Sequence, residues 1–595
     1  MEGMEDANYR VGFELTQLMP DRVERFNRGS LVVTKFMVDW VLRPVARAWR
    51  FLLPEPVRES LENVTYNLRF PGRFASLLLQ AEACEAGEET VHFLVNTVAG
   101  VGGLFDVAER LDVQTHDQDV GLAFARWGIG YGSYLVIPLL GPSSVRDGFG
   151  KIFDTVLDPL FYVPGGSIGA TVNGFSLRID AYDAITESQR AHLYLTVRAL
   201  WATQRQIAME RFEIPESAFA NSDPEPSLGS LLAEPRDPEF AGRARVGKVE
   251  IAATGRKLPF SLWLQPEPAP VVYVVPGIGA HRQAPLALVL AELAWEAGHS
   301  VVLISNPFHP EFIRNALSVP YPGFTPADAE DVYSALDGIA ADLRADHGNR
   351  IQGAKLIGYS LGGIATLFVA DAQPQRSPEA LRFDRFVAVN PPVDLIVAAE
   401  QFEEAFAVPT SWGDDERDRR IKELAMKAFL VAQHGLPEGK PLPMDRDESR
   451  FMIGMAGRIV LASALGAVAD NGDPVLEPLA LPQRGRALDR FASISYPRYG
   501  QELVVPWAMD HYGVTDAPEL VRRTSLRALD ESTWKNPEVR VLHNANDFIL
   551  GDDGLAFLER HLGDRLTLFP GGGHLGNLHL PEVQAAVTAA LGPAH

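Results

Sequence analysis

A single cysteine, Cys84, stands in the 595 residues of the chain. No disulfide can close within it and no cysteine metal cluster can form, so cysteine usage leaves the compartment open. Positive charge is also scarce. Lysine and arginine total 54 against 77 aspartate and glutamate, a formal charge of −23. Such a surface repels phosphate backbones, which argues against nucleic acid as a partner but leaves neutral and zwitterionic lipid open. Long apolar runs are missing as well: no predominantly apolar stretch reaches about 18 residues. The two long uncharged stretches, 127–145 and 159–177, are interrupted by glycine and proline, so no membrane-spanning helix is expected. The first fifteen residues have no basic n-region, no apolar h-region and no lipobox-like cysteine, which predicts no secretory signal in the sequence as given.

What is present is ordinary globular material. Hydrophobic residues are 46% and charged residues 22%, which excludes a wholly disordered or collagen-like chain. The length fits about four domains, or two large ones. One shift in composition divides the chain: residues 213–240 hold seven acidic side chains, one arginine and five prolines. So few apolar groups cannot offset the entropy of ordering, so a Pro/acid-rich linker is expected over 213–246.

Beyond it, short β-rich runs alternate with helical patterns. The runs are Val271–Val275, Val301–Ser305, Leu356–Tyr359, Phe386–Asn390, Val539–His543 and Leu566–Phe569, with helical spacing at 286–297, 329–345 and 361–372. That alternation predicts a mostly parallel sheet covered by crossover helices. It stops between about 393 and 536, where a structureless loop of such length would be implausible, so a helical cap is expected there.

Within this half, Gly358-Tyr359-Ser360-Leu361-Gly362 follows a strand and opens a helix. This is G-x-S-x-G in its required setting, where small residues permit the sharp turn that lifts the serine hydroxyl above the sheet. An acid and then a histidine should follow in the chain. Asp547 lies just past the Val539–His543 strand, and His574 follows Leu566–Phe569 and the glycines 571–573. The order Ser360, Asp547, His574 fits a nucleophile, an orienting acid and a proton shuttle. Asp552 and Asp553 are rival acids, and His561 and His579 rival histidines. An oxyanion hole requires two preorganised amides, for which Leu361 and Ile278, in the turn Pro276-Gly277-Ile278-Gly279, are the candidates. A dinucleotide fingerprint in that turn is weak, because Arg282 occupies the place of the third glycine. No cofactor or metal is expected.

These residues resemble the α/β-hydrolase family over about 247–595, with Pro276-Gly277 where many members carry His-Gly. The resemblance implies a serine hydrolase of the lipase/esterase class whose cap shapes an acyl pocket.

The first half offers little polar catalytic material. Residues 30–49 alternate apolar (Val32, Val33, Phe36, Met37, Trp40, Val41) and charged (Lys35, Asp39, Arg43, Arg47) positions at helical spacing. Such a helix packs on a core, or lies in a membrane interface. Around it stand Phe26-Asn27-Arg28, then Gly100, Gly102 and Gly103, then Gly128, Gly130 and Gly132, glycines that permit close packing and tight turns. These motifs, in order and spacing over about 20–212, resemble the MlaA (VacJ) family of outer-membrane lipoproteins. The resemblance implies an all-α ring of helices in the inner leaflet of an outer membrane, facing the periplasm, that moves phospholipid between membranes. Its implied partners are a phospholipid or other acyl lipid, the membrane surface, and a periplasmic lipid carrier or an outer-membrane porin. The family's lipidated N-terminal cysteine is absent from this sequence, and the hydrolase is foreign to the usual family architecture.

The two resemblances predict a bifunctional lipid-handling protein, extraction coupled to serine ester hydrolysis. Two other readings stay open: a lipid-transfer protein whose hydrolase-like module is silent, and a soluble esterase using its N-terminal half as a docking platform.

Overall fold

The computed structural model describes residues 20–188, 193–473, 476, 491, 493–551 and 553–594. The chain forms two compact units, one of Phe13–Glu216 with Arg419–Lys440, the other of Ser217–Asp418 with Pro441–His595.

Among its described residues the first unit is helical save for one small hairpin. A helix Glu24–Met37 runs through a π-helical turn, Val38–Leu42, into Arg43–Leu52. Pro54 ends the run, and helices Glu55–Leu68, Phe70–Leu79 and Ala83–Val98 follow, the first two with proline in the first turn, where its missing N–H costs nothing. Strands β1 (Tyr134–Ile137) and β2 (Gly141–Ser144) pair antiparallel, and helices Val145–Leu157, Gly166–Ser188 and Leu193–Glu210 complete the unit. The hairpin escapes helical periodicity because it is only four residues a side. Its outer edge is closed by a side chain. Asn27, fully buried, donates to the Tyr134 carbonyl (2.9 Å) and accepts from the Val136 amide (2.8 Å), so it stands in for a neighbouring strand.

The burial pattern of this unit is inverted. Arg58, Asn67, Arg73, Glu89, His92, Asn96, Arg146, Asp147 and Asn173 are buried, while Phe51, Trp40, Ile168 and Leu140 are 90, 73, 71 and 67% exposed. Buried ions here are paired or hydrogen-bonded, as their burial requires: Arg73 with Glu89 at 2.5 Å, Arg146 with Asp147 at 2.8 Å, and Arg58 to the Ser176 carbonyl at 3.0 Å. Among the described residues, most of the exposed large apolar side chains belong to residues 23–200.

The second unit is built on an eight-stranded sheet: β3 (Arg245–Ile251), β4 (Arg256–Trp263), β5 (Ala269–Val275), β6 (Ser300–Leu303), β7 (Ile351–Tyr359), β8 (Arg385–Val389), β9 (Val539–Asn544) and β10 (Leu566–Phe569). Their order is β10-β9-β8-β7-β5-β6-β4-β3. Strands β5 to β10 run parallel; β4 is antiparallel to both its neighbours. Every residue of β5 and β6 is buried, as a sheet covered on both faces demands. Helices Thr325–His347 and Leu361–Ala372 supply one apolar layer, and Pro285–Glu296 and Pro581–Leu591 the other. The hairpin β3–β4 was not legible as strands because its edge carries Lys248, Glu250, Arg256 and Lys257, the usual protection of an open edge.

The segment expected as a linker departs from that reading from Ser217 onward. Its few apolar groups are anchors: Phe219, Leu228, Ala233 and Phe240 are all buried, and Phe240 stacks on Trp263 with centroids 4.8 Å apart. A composition count misses this, because four well-placed side chains order the segment that the average describes as unfoldable. Residues 393–536 do form helices where described, among them Leu395–Ala407, Asp414–His434 and Arg446–Asp470. The middle one passes into the first unit, where Lys422 pairs with Glu210 at 2.6 Å and Lys440 with Glu216 at 2.5 Å. Among the described residues Arg446–Asp470 is the helix long and apolar enough to cross a membrane, yet 56% of its apolar window is buried. Gly454 there meets the Phe406 backbone so closely that a Cβ would lie 2.2 Å from its nitrogen. It is a core helix of its unit.

Candidate active site

Strand β7 ends at Tyr359 and the helix Leu361–Ala372 begins two residues later, so the single residue between them, Ser360, absorbs the whole turn. Its φ of 53° and ψ of −124° lie where an L side chain is strained. The glycines around it are sterically required. A Cβ on Gly358 would sit 2.1 Å from the Gly362 carbonyl, and one on Gly362 2.1 Å from the Val275 carbonyl. The Ser360 amide donates to the Val389 carbonyl of β8 at 2.9 Å, pinning the turn to the sheet.

Two loops bring the remaining groups to it. The end of β9 carries Asp547, and the turn after β10 carries His574. His574 Nε2 lies 2.9 Å from Ser360 Oγ, and His574 Nδ1 lies 2.9 Å from Asp547 Oδ2. Asp547 Oδ2 also accepts from Asn390 Nδ2 at 2.9 Å, and Oδ1 accepts from the Ile549 amide at 3.2 Å. The carboxyl side chain is fully buried. Burial alone would raise its pKa, but His574, His543 and the Asn390 hydrogen bond outweigh it and hold the carboxyl below its ordinary value. His543, also buried, is held neutral by burial, its pKa lowered despite the nearby Asp547. Among the described residues, none of the rivals Asp553, His561 and His579 is bonded to Ser360 or His574. Asp553 pairs with Arg527 at 2.8 Å, and His561 Nδ1 faces the Phe557 carbonyl at 2.8 Å. Asp552 lies outside the described residues.

The turn after β5 borders the serine: a Cβ on Gly277 would lie 3.1 Å from Ser360 Cβ. This follows from the register, since Val275 pairs with Gly358 across β5 and β7. Leu361, the first helical residue, follows Ser360 directly, and the turn at Gly277, which leads into Ile278, approaches the serine from a second chain segment. Asn306, buried after β6, fixes the Ile278 turn, donating to the Pro276 carbonyl (2.8 Å) and accepting from the Gly279 amide (3.3 Å). Over it lies the helix Arg446–Asp470, so close that a Cβ on Gly279 would meet Val460 Cγ1 at 2.4 Å. Chemically, the arrangement offers a hydroxyl beside an imidazole whose far nitrogen faces a carboxylate.

Sequence reasoning named the serine, histidine and acid but not Asn390 or Asn306. Their signal was weak: each is an asparagine just past a strand, in Asn390-Pro391 and Asn306-Pro307, where turn chemistry explains it equally well.

A family model described as MlaA lipoprotein matches residues 19–208. Over 170 residues the chain is 31% identical to the intermembrane phospholipid transport system lipoprotein MlaA of Shigella flexneri, covering 28% of this chain and 68% of that one. The chain belongs to the MlaA family. The MlaA of Escherichia coli K12 is likewise 31% identical over 170 residues, with the same shares covered. A solved structure of a Pseudomonas aeruginosa hydrolase aligns at 19% identity over 58% of this chain and 98% of its own, with a TM-score of 0.28. The MlaA match ends at residue 208, before the second unit begins at Ser217, so the α/β-hydrolase fold of that unit rests on its own strand order and on the turn at Ser360.

The MlaA-like signature positions serve the fold of the first unit. Asn27 closes the β1 edge, and Arg28 pairs with Glu24 at 2.7 Å while covering the Tyr194 ring at 4.3 Å. Phe26 is exposed. A Cβ on Gly100 would lie 2.2 Å from the Phe105 carbonyl, and one on Gly103, at φ +93°, 2.7 Å from Asn67 Cβ. Gly102, Gly128 and Gly132 hold positive φ, whereas Gly130 has open space where a Cβ would stand. An apolar cavity of about 290 Å³ opens in this unit among Leu31, Val38, Val197, Trp201 and Phe429, with Lys35 at its wall.

Proposed function

We propose that the protein is a bifunctional lipid handler, an MlaA-like phospholipid-transport unit joined to a serine ester hydrolase that acts on an acyl lipid. The observation that carries the hydrolase reading is the continuous chain Ser360–His574–Asp547, two hydrogen bonds of 2.9 Å leading to a serine on a strained elbow. The carboxylate sets the tautomer with the proton on Nδ1, leaving Nε2 free to take the serine proton.

Catalysis on this reading proceeds by acyl transfer. Ser360 Oγ attacks the ester carbonyl as His574 Nε2 takes its proton, and the carbonyl oxygen becomes an oxyanion facing the Leu361 and Ile278 amides. Collapse breaks the bond to the alkoxy group, which leaves with the proton from His574. Water then repeats the sequence on the acyl-serine and releases the carboxylic acid, returning the hydroxyl to Ser360. Asp547 stabilises the transient imidazolium throughout.

The lipid reading draws on the first unit. An exterior bearing Phe51, Trp40 and Ile168 and an interior bearing paired charges is the inverse of a water-soluble bundle, and suits a unit set into lipid. The MlaA relatives are named as intermembrane phospholipid transport lipoproteins. We carry that role to this chain, with the outer membrane and its periplasmic side as the location and a porin or a periplasmic lipid carrier as the partner. Joining the two activities raises the local concentration of extracted lipid at the hydrolase. A fluorophosphonate probe tests the chemistry: it should label the wild-type protein and not Ser360→Ala. Absence of labelling in the wild type would leave a lipid-transfer protein with a silent module.

A further inference from the structure

The turn that carries His574 is not held by the hydrolase core alone. Residues 571–576 are backed by the stretch 225–229, which lies far upstream, past the helix Leu193–Glu210. The His574 amide donates to Ser227 Oγ at 2.7 Å. Ser227 is 4% exposed, and its hydroxyl donates in turn to Glu225 Oε1 at 3.3 Å, which leaves the Oγ lone pairs to accept. Glu225 is itself buried and tied to the helix Arg446–Asp470, its amide donating to Ser449 Oγ at 2.7 Å.

The two stretches meet backbone to backbone, through glycines. A Cβ on Gly576 would lie 1.9 Å from the Pro226 carbonyl, one on Gly229 2.3 Å from the Gly576 carbonyl, and one on Gly573 2.5 Å from Ser227 Oγ. No side chain fits at any of the three, so the contact admits little slack. The other ties on the loop come from the sheet side: Asn546 Oδ1 accepts from the Gly573 amide at 2.8 Å, and Asn544 Nδ2 donates to the Gly573 carbonyl at 2.8 Å. Neither reaches the His574 main chain itself. Among the described residues, Ser227 is the group bonded to the His574 amide.

We propose that Ser227 is a positioning residue for catalysis: the segment Glu225–Gly229 is a strap that sets the main chain of His574, and thereby the reach of its imidazole to Ser360. This deepens the hydrolase reading and rests on it. The strap acts through geometry and touches no substrate, so it should enter the rate of acyl transfer and not the binding of a small ester. A misplacement of order 1 Å in a reacting group costs about 10²-fold in rate. Loss of one backbone tether with the sheet-side ties retained should cost less, roughly ten-fold.

The test uses the full-length protein and three variants, Ser227→Ala, Ser227→Thr and Ser360→Ala, assayed on a soluble short-chain nitrophenyl ester with thermal melting recorded alongside. Ser227→Ala is expected to lower kcat about ten-fold at unchanged KM, and to slow fluorophosphonate labelling of Ser360 by a similar factor. Ser227→Thr, which keeps the acceptor oxygen, is expected to restore both. An unchanged kcat in Ser227→Ala would overturn the strap while Ser360→Ala stayed inactive and the hydrolase reading stood. Equal losses in Ser227→Ala and Ser227→Thr, whether or not the melting point fell, would overturn it too, because the hydroxyl would then not be what matters. Full activity in Ser360→Ala would instead remove the hydrolase reading.

Discussion

Replacing Asp547 by asparagine probes the buried end of the Ser360–His574–Asp547 chain with the least change of shape. In the native arrangement Oδ2 accepts two hydrogen bonds, from His574 Nδ1 and Asn390 Nδ2, and Oδ1 accepts a third from the Ile549 amide. An amide has one oxygen. Turned toward His574 it sets its NH2 against the Ile549 N–H, and turned the other way it sets that NH2 against both His574 and Asn390. Either orientation leaves a buried donor facing a donor, and both remove the charge opposite the imidazolium. A charge-assisted hydrogen bond is worth about 1.5–3 kcal/mol. Adding the loss of imidazolium stabilisation brings the barrier up by about 3–5 kcal/mol, or roughly 10²–10⁴-fold in kcat. KM for a small ester should hold, since the carboxylate touches His574 and not substrate. Initial rates on a soluble nitrophenyl ester measure both parameters. His574→Ala should lose at least as much. A kcat for Asp547→Asn within threefold of wild type would refute the reasoning and reopen the choice of acid.

Two further predictions concern the fold. Asn27→Ala removes the side chain that caps β1 and strands the Tyr134 carbonyl and Val136 amide in a buried site, at a cost of about 2–4 kcal/mol; an unchanged melting temperature of the first unit would contradict this. His309, next to the Ile278 turn through His281 (ring centroids 4.9 Å), has its pKa lowered to about 3 by burial and then by His281, against Glu311. Between its unfolded value of about 6.5 and about 3, the unfolded chain holds a proton that the folded one does not. Its contribution is therefore fully present above the upper value and is lost as pH falls through that window, with a slope of up to about 1.4 kcal/mol per pH unit. His309→Asn, which keeps an acceptor for the Glu311 amide, should flatten the urea midpoint between pH 6 and 4; an unaltered slope would exclude His309 as the source.

The sheet of the second unit was legible where strands are buried on both faces. The runs at 271–275, 301–305, 386–390 and 539–543 fell within two residues of their strands, and 356–359 found the buried end of β7, because continuous apolar stretches between glycine and proline have few other uses; Leu566–Phe569, a partly exposed edge strand, matched residue for residue. The β3–β4 hairpin was not legible, its charges serving the edge. The G-x-S-x-G turn declared itself because only glycines fit at 358 and 362. The acid and histidine followed from strand ends, but Asn306, Asn390 and Ser227 did not. Their roles depend on contacts across 30 to 347 residues of sequence, which no local pattern encodes. The inverted burial of the first unit was half visible: the apolar face of residues 30–49 could be read, but not whether it faced protein or lay exposed.

The claim that the two units serve one lipid-directed chemistry is tested most directly by acyl release from a bilayer. Full-length protein, wild type and Ser360→Ala, would be incubated with vesicles of isotopically labelled phospholipid, and free fatty acid and lysolipid quantified by mass spectrometry. The account predicts labelled fatty acid from the wild type and none above background from Ser360→Ala, with both proteins carrying bound phospholipid. Absence of release by a wild-type protein that carries the same lipid and still hydrolyses soluble esters would contradict it.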